Sequence, residues 1–193
     1  MADVNAALIG LLGVMAGGYL NNFFAEDYKR FLDGRALAGA LAGELESHAE
    51  PVRALKEGLQ LMEQQFTNEH EVDLPEWPIP ASPLFEQNAA KIGLLGAQTA
   101  RDVAYVYENL RAFRLALHQL SKHHTTLSRT WCASMTKNCM AALTRAETRG
   151  VPLIEALKSQ ANESYWQRRQ TRTQLKWAAV ALFVFLIVLK VFA

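Results

Sequence analysis

The side chains of this chain that could gather round a transition metal are His118, His123, His124, Cys132 and Cys139. A zinc site needs ligands that converge from short, regular spacings. Adjacent His123 and His124 cannot face the same side of one helix. Cys132 and Cys139 stand seven apart, which puts two thiols on one helical face, as core residues would be. Glu69, His70, Glu71 and Asp73 could attract a divalent cation, but their setting before a proline-rich stretch reads as a surface loop. Serines and histidines occur without a nucleophile elbow. The glycines of GALAG at 39–43 lie inside a helical pattern and make neither a P-loop nor a dinucleotide fingerprint. Glu44 and Glu46 read as a solvated helix face. The expectation is a protein that is not an enzyme, with no catalytic residue, no cofactor and no metal.

The elements that must carry these residues are helical throughout. Leu37, Leu41, Leu45, Leu55, Leu59 and Met62 recur at spacings near four, and Pro51 should kink or restart that helix before it ends near Phe66. The small residues at 36, 38, 39, 40, 42 and 43 make a slim face suited to close helix contact. Residues 67–82 form a connector: four prolines between 75 and 83 exclude helix and central strand, and Trp77 and Ile79 are its expected anchors. Recognition of this proline stretch by an aromatic groove is the sharper alternative to a stiff loop. Ser82 and Pro83 suit an N-cap and first helical residue, and Gly93 and Gly96 bracket a turn. Val103, Val106, Leu110, Phe113, Leu117 and Leu120 then step by three and four alternately, nearly three heptads of a seam. Such a seam is expected to pack against an antiparallel helix of the same domain. Thr125 or Thr126 should cap the next helix, with Leu127, Trp131, Met135 and Ala142 on one side. Gly150 and Pro152 predict a stop and a fresh start, the last helix running on through Trp166.

Two stretches have membrane character. Residues 177–193, WAAVALFVFLIVLKVFA, are apolar on every helical face and follow the basic run Arg168, Arg169, Arg172 and Lys176. At about 1.5 Å per residue they reach about 25 Å, short of a bilayer core of roughly 30 Å. Lys190 near the far end can snorkel to the headgroups, and Trp177 marks the near interface. Residues 4–25 are also uncharged and long enough to span. A secretory signal peptide would need a positive leading region, whereas the one charged side chain before this stretch is Asp3. On the face formed by Ala6, Gly10, Gly13 and Gly17, small residues let backbones approach, and Gly13 to Gly17 is a GxxxG match. Lys29, Arg30 and Arg35 after the first span agree with the basic run before the second. Both flanks put residues 26–176 in the cytoplasm and the two termini on the far side.

The 193 residues carry 20 basic and 19 acidic side chains, a net charge of +1. That balance gives no basic field for nucleic acid. Roughly 150 residues between the spans suffice for one domain with a core. The expected fold is all-α, two antiparallel transmembrane helices carrying a cytoplasmic helical bundle.

Between 83 and 110 the residues Phe85, Glu86, Asn88, Ile92, Gly93, Leu94, Leu95, Val103 and Tyr107 form a pattern. It resembles a segment of small uncharacterised bacterial inner-membrane proteins with an N-terminal span, a Phe/Tyr-Glu-x-Asn and an Ile/Leu-Gly-Leu-Leu turn. The resemblance covers about 30 of the 193 residues. It implies a bacterial inner-membrane setting and carries no activity. The functional expectation is a non-catalytic membrane-anchored adaptor or scaffold, with the lipid bilayer and either a second copy or a cytoplasmic protein as partners. The alternative is an oligomeric membrane-disrupting effector or small channel. Against it, no polar residue between Ala178 and Leu189 could line a water path.

Overall fold

A computed structural model describes residues 24–168 and 171–174, together with Gly10, Gly13, Val14, Gly17, Gly18, Lys176, Trp177, Ala179, Val180, Phe183 and Ile187. Every regular element among the described residues is helical. In chain order they are α1 (Ala25–Ala49), α2 (Val52–Thr67), α3 (Pro83–Asn88), a 3-10 segment (Ala89–Leu95), α4 (Ala97–His123), α5 (Arg129–Ala161) and a 3-10 turn (Tyr165–Gln167). Among the described residues no helix is long and apolar enough to cross a membrane. The spans expected at 4–25 and 177–193 fall largely outside the described residues. The chain divides into two compact units, Ala36–Ala161 and a second formed by Met1–Arg35 with Asn162–Ala193. The domain expected over 26–176 thus has its compact body at Ala36–Ala161.

Within Ala36–Ala161, three helical limbs share one core. Pro51 separates α1 from α2, because a proline in mid-helix lacks the N–H that would continue the ladder. The buried stripe nevertheless runs through the break: Leu45, Val52, Leu59 and Phe66 lie at successive steps of seven and are all buried. The two helices therefore act as one limb. Leu37, Leu41 and Leu45 pack with Val103, Val106 and Leu110 of α4 and with Leu153, Ile154 and Leu157 of α5. Lower down, Val52 and Leu59 meet Phe113, Leu117, Cys139 and Leu143. At the far end Phe66 meets Leu120 and Cys132. The register shows α4 parallel to the α1–α2 limb and α5 antiparallel to both. The pairs Lys158–Glu46, Lys56–Glu147 and Lys137–Glu63 follow the same antiparallel order, as do Arg149–Asp102 and Arg145–Asn109 on α4. Two parallel limbs cannot be joined by a tight turn. The chain must travel back along the bundle, and residues 70–82 make that return as an extended strap.

Four local expectations change. First, α5 runs unbroken through Pro152. A mid-helix proline costs about 3 kcal/mol, whereas Leu153, Ile154 and Leu157, all buried just beyond it, each contribute about 1.5–3 kcal/mol. Burial wins, and Pro152 sits on the exposed side, where water can take the freed carbonyl of Thr148. Second, that helix stops at Ala161 instead of continuing through Trp166. In the second unit Tyr165 turns inward to Asp27 (3.0 Å), its ring edge-on to Tyr28 and tilted against Phe31. Third, the cap of α5 is Ser128, whose Oγ accepts the Trp131 N–H at 3.2 Å. Thr126 instead closes the end of α4 by donating to the His123 carbonyl. Of the side expected to carry Leu127, Trp131, Met135 and Ala142, Ala142 is buried and Trp131 and Met135 pack on the Phe66 cluster, but Leu127 is exposed; Cys132, Thr136, Cys139 and Leu143 are the most deeply buried there. Fourth, the strap is held less by its large side chains than expected. Trp77 and Ile79 are 44% and 47% exposed. Val72 and Leu74 pack on the Phe66 cluster, and the Trp77 backbone is clasped at both ends.

Candidate functional site

Polar side chains gather where the strap becomes α3. Glu44 and His48 lie on α1 four apart, and Tyr107 and Arg114 lie on α4 seven apart, so each pair shares a helix face. The two faces meet across Ser82 and the first turn of α3. Ser82 does not cap α3 with its own side chain. Glu44 caps it from another helix: its two oxygens accept the N–H groups of Leu84 and Phe85 at 2.9 and 3.0 Å. The Tyr107 hydroxyl donates a third bond to Glu44 at 2.7 Å. Glu44 is therefore buried, not solvated as expected, whereas Glu46 is exposed. A buried carboxylate is tolerable only when donors replace its water, and three do so here. The Phe85 ring stacks on Tyr107 at 4.0 Å and 8° and covers this pair.

Ser82 serves the neighbouring half of the cluster. Its backbone N–H donates to Glu86 at 3.1 Å, and its Oγ accepts from Arg114 at 2.7 Å. Arg114 also reaches His48 Nε2 at 3.2 Å, and Ser82 Oγ lies 3.3 Å from the same nitrogen. The same Arg114 nitrogen lies 3.4 Å from His48 Nδ1; a guanidinium can only donate, so whichever ring nitrogen accepts presents its lone pair and the ring is neutral. Burial and the Arg114 cation push the His48 imidazole below its ordinary value, with Glu44 opposing. Burial, then the bond to Glu44, pushes the Tyr107 phenol well up. Serine, histidine and carboxylate are thus close without forming a relay. The Glu44 oxygens are occupied by α3 and Tyr107, and Ser82 is buried with its oxygen held by Arg114.

Beside this cluster the strap bridges α2 and α4 and leaves apolar space beneath it. One cavity of about 320 Å³ lies among Leu55, Phe113, Leu117, Leu143 and the strap, with His48 and Arg114 at its edge. A second, of about 270 Å³, continues along Leu59, Met62 and Leu74. Trp77, Leu55, Phe113 and Leu117 border both.

The seam residues Val103, Val106, Leu110, Phe113, Leu117 and Leu120 are all buried against helices of the same chain. His118 and His124 are spent on the Trp77 and Ser121 carbonyls, and the two thiols are buried and free. Burial pushes Cys139 up to about 12 and Cys132 upward. No metal-ligating group of three gathers among the described residues. Glu69, His70, Glu71 and Asp73 are exposed. Gly10, Gly13 and Gly17 are exposed, with open space where a Cβ would stand. Arg168 lies 3.9 Å from Asp27 and over the Phe31 ring; Arg172, Lys176 and Trp177 are exposed. Ala6, Arg169 and Lys190 lie outside the described residues.

Sequence reasoning missed Glu44, His48, Ser82, Tyr107 and Arg114 as a group. One signal was present: Leu37, Leu41, Glu44 and His48 step by four, three and four, so the polar pair continues a core stripe. No protein-family model, characterised protein or solved structure matches this chain. The fold therefore defines the class, an all-α protein with a three-limbed helical bundle and a clamped strap.

Proposed function

We propose that the chain is a non-catalytic, membrane-anchored helical adaptor or scaffold, its bundle facing the cytoplasm of a bacterial cell. The observation that carries the non-catalytic part is the use of the polar cluster: Glu44, Ser82, Tyr107 and Arg114 all hold the strap and α3 against the bundle. The membrane part rests on the apolar run at 177–193 behind Arg168, Arg169, Arg172 and Lys176. Trp177, Val180, Phe183 and Ile187, all large and exposed, support it. The bacterial inner-membrane setting rests on the resemblance carried by Phe85 to Tyr107.

A second reading, an oligomeric effector or channel, draws on Gly10, Gly13 and Gly17, where an added Cβ would meet nothing within 4 Å among the described residues and a second helix could approach closely. Cross-linking in membranes at native expression, with mass spectrometry of the adducts, separates the two. One foreign protein captured through residues 84–165 supports the adaptor. A ladder of self-adducts, with collapse of membrane potential on expression, supports the effector. Release of the chain by alkaline carbonate would refute the anchor.

A further inference from the structure

The paired cavities beneath the strap have the form of a site for a small amphiphile. Their combined scale suits a small-molecule pocket, which commonly runs from about 300 to 1,000 Å³. Both lie wholly within Ala36–Ala161, so nothing about them depends on the membrane anchor. Their walls are aliphatic and aromatic: Leu55, Phe113 and Leu117 run through both, and Trp77 roofs the junction. The larger cavity carries one formal charge on its lining, the Arg114 guanidinium. Its hydrogen bonds go to neutral partners, Ser82 Oγ and the His48 ring. Two carboxylates, Glu44 and Glu86, act on Arg114, but neither lines the space: Glu44 accepts from α3 and Tyr107, and Glu86 from the Ser82 N–H. The larger cavity therefore has a cationic group on its lining, and the remaining walls of both are mainly apolar.

We propose that this groove binds the free carboxylate form of a medium-chain fatty acid, its head at Arg114 beside His48 and its tail under Trp77 along Leu55, Phe113 and Leu117. A guanidinium suits a carboxylate because its planar fork offers paired donors. The tail replaces water or void against apolar walls, which favours binding in proportion to the area covered. Arg114 also holds the strap through Ser82, so an occupied head site would compete for the bond that clamps the strap.

The test uses the full chain in detergent-free lipid nanodiscs, with empty nanodiscs as the blank. Decanoate and decanol are titrated by calorimetry, and a diazirine analogue of decanoic acid maps the site by photolabelling. Saturable decanoate binding is expected, at least about tenfold tighter than decanol, since a hydrogen bond between charged groups is stronger than one to a neutral hydroxyl. Labels should fall on residues 51–62, 74–80 and 110–121. Arg114→Gln should remove the preference for decanoate, while Arg111→Gln, on the exposed side of α4, should keep it. Equal affinity for decanol, labels confined to residues outside those segments, or no saturable binding beyond empty nanodiscs would overturn the proposal. The comparison of the two ligands on the unaltered chain decides the matter even if Arg114→Gln fails to fold.

Discussion

Glu44 is the residue on which the clamped strap depends. Glu44→Gln keeps the shape but removes the charge and turns an amide NH2 towards a donor. The expected loss is about 1.5–3 kcal/mol of unfolding free energy, measured by urea titration. Tyr107→Phe leaves the stacked ring and two backbone bonds to Glu44, and should cost about 1 kcal/mol, less than Glu44→Gln. A reversed order would show that the Tyr107 hydroxyl, not the charge of Glu44, is the bond on which α3 depends. His48 adds a pH dependence. Its folded value lies below its unfolded value of about 6.5, so the unfolded chain binds the extra proton. Its contribution is intact above 6.5 and is lost as pH falls through the folded value. Unfolding midpoints should drop on acidification from pH 7 to 5, and His48→Gln should flatten that part of the profile.

At the scale of elements, the positions of proline and glycine are informative. Gly96 joins the 3-10 segment to α4 with φ +84° and ψ 158°, a conformation open almost solely to glycine. Gly96→Ala should therefore cost about 1–3 kcal/mol although nothing crowds the site. Gly58 is in mid-α2 with open space for a Cβ. Gly58→Ala should stabilise by roughly 0.5–1 kcal/mol by restricting the unfolded chain. Thermal melts of the two variants should move in opposite directions. If both fall, the space around α2 is not free. Pro51 and Pro152 show that context decides what a proline does. At 51 the chain turns with the core stripe kept in step, and at 152 the buried Leu153, Ile154 and Leu157 just beyond it carry the helix through.

For the whole molecule, the adaptor and effector readings differ in what the terminal segments do. A Cβ added at Gly13 would meet nothing within 4 Å among the described residues. Gly13→Leu should therefore leave the melting of the bundle unchanged while lowering self-cross-linking in membranes. Loss of bundle stability in that variant would mean the segment serves the fold rather than assembly. Much of the architecture is legible in the chain. The heptad seam from Val103 to Leu120, the restart at Pro51 and the extended strap after Thr67 follow from spacing and proline chemistry. The unbroken α5 and the inward turn at Tyr165 are not legible, because distant packing outweighs the local stop signals there.

The sequence by itself determined the helical class and the apolar stripes of the limbs, since periodicity is a property of neighbours along one chain. Tertiary structure alone decided that α1 and α4 run parallel and that the strap must return between them. It also decided that Glu44, which looks like a surface acid in its own helix, becomes the cap of another. Those outcomes depend on which faces meet, and a carboxylate's cost or benefit is set by the donors around it rather than by its sequence neighbours.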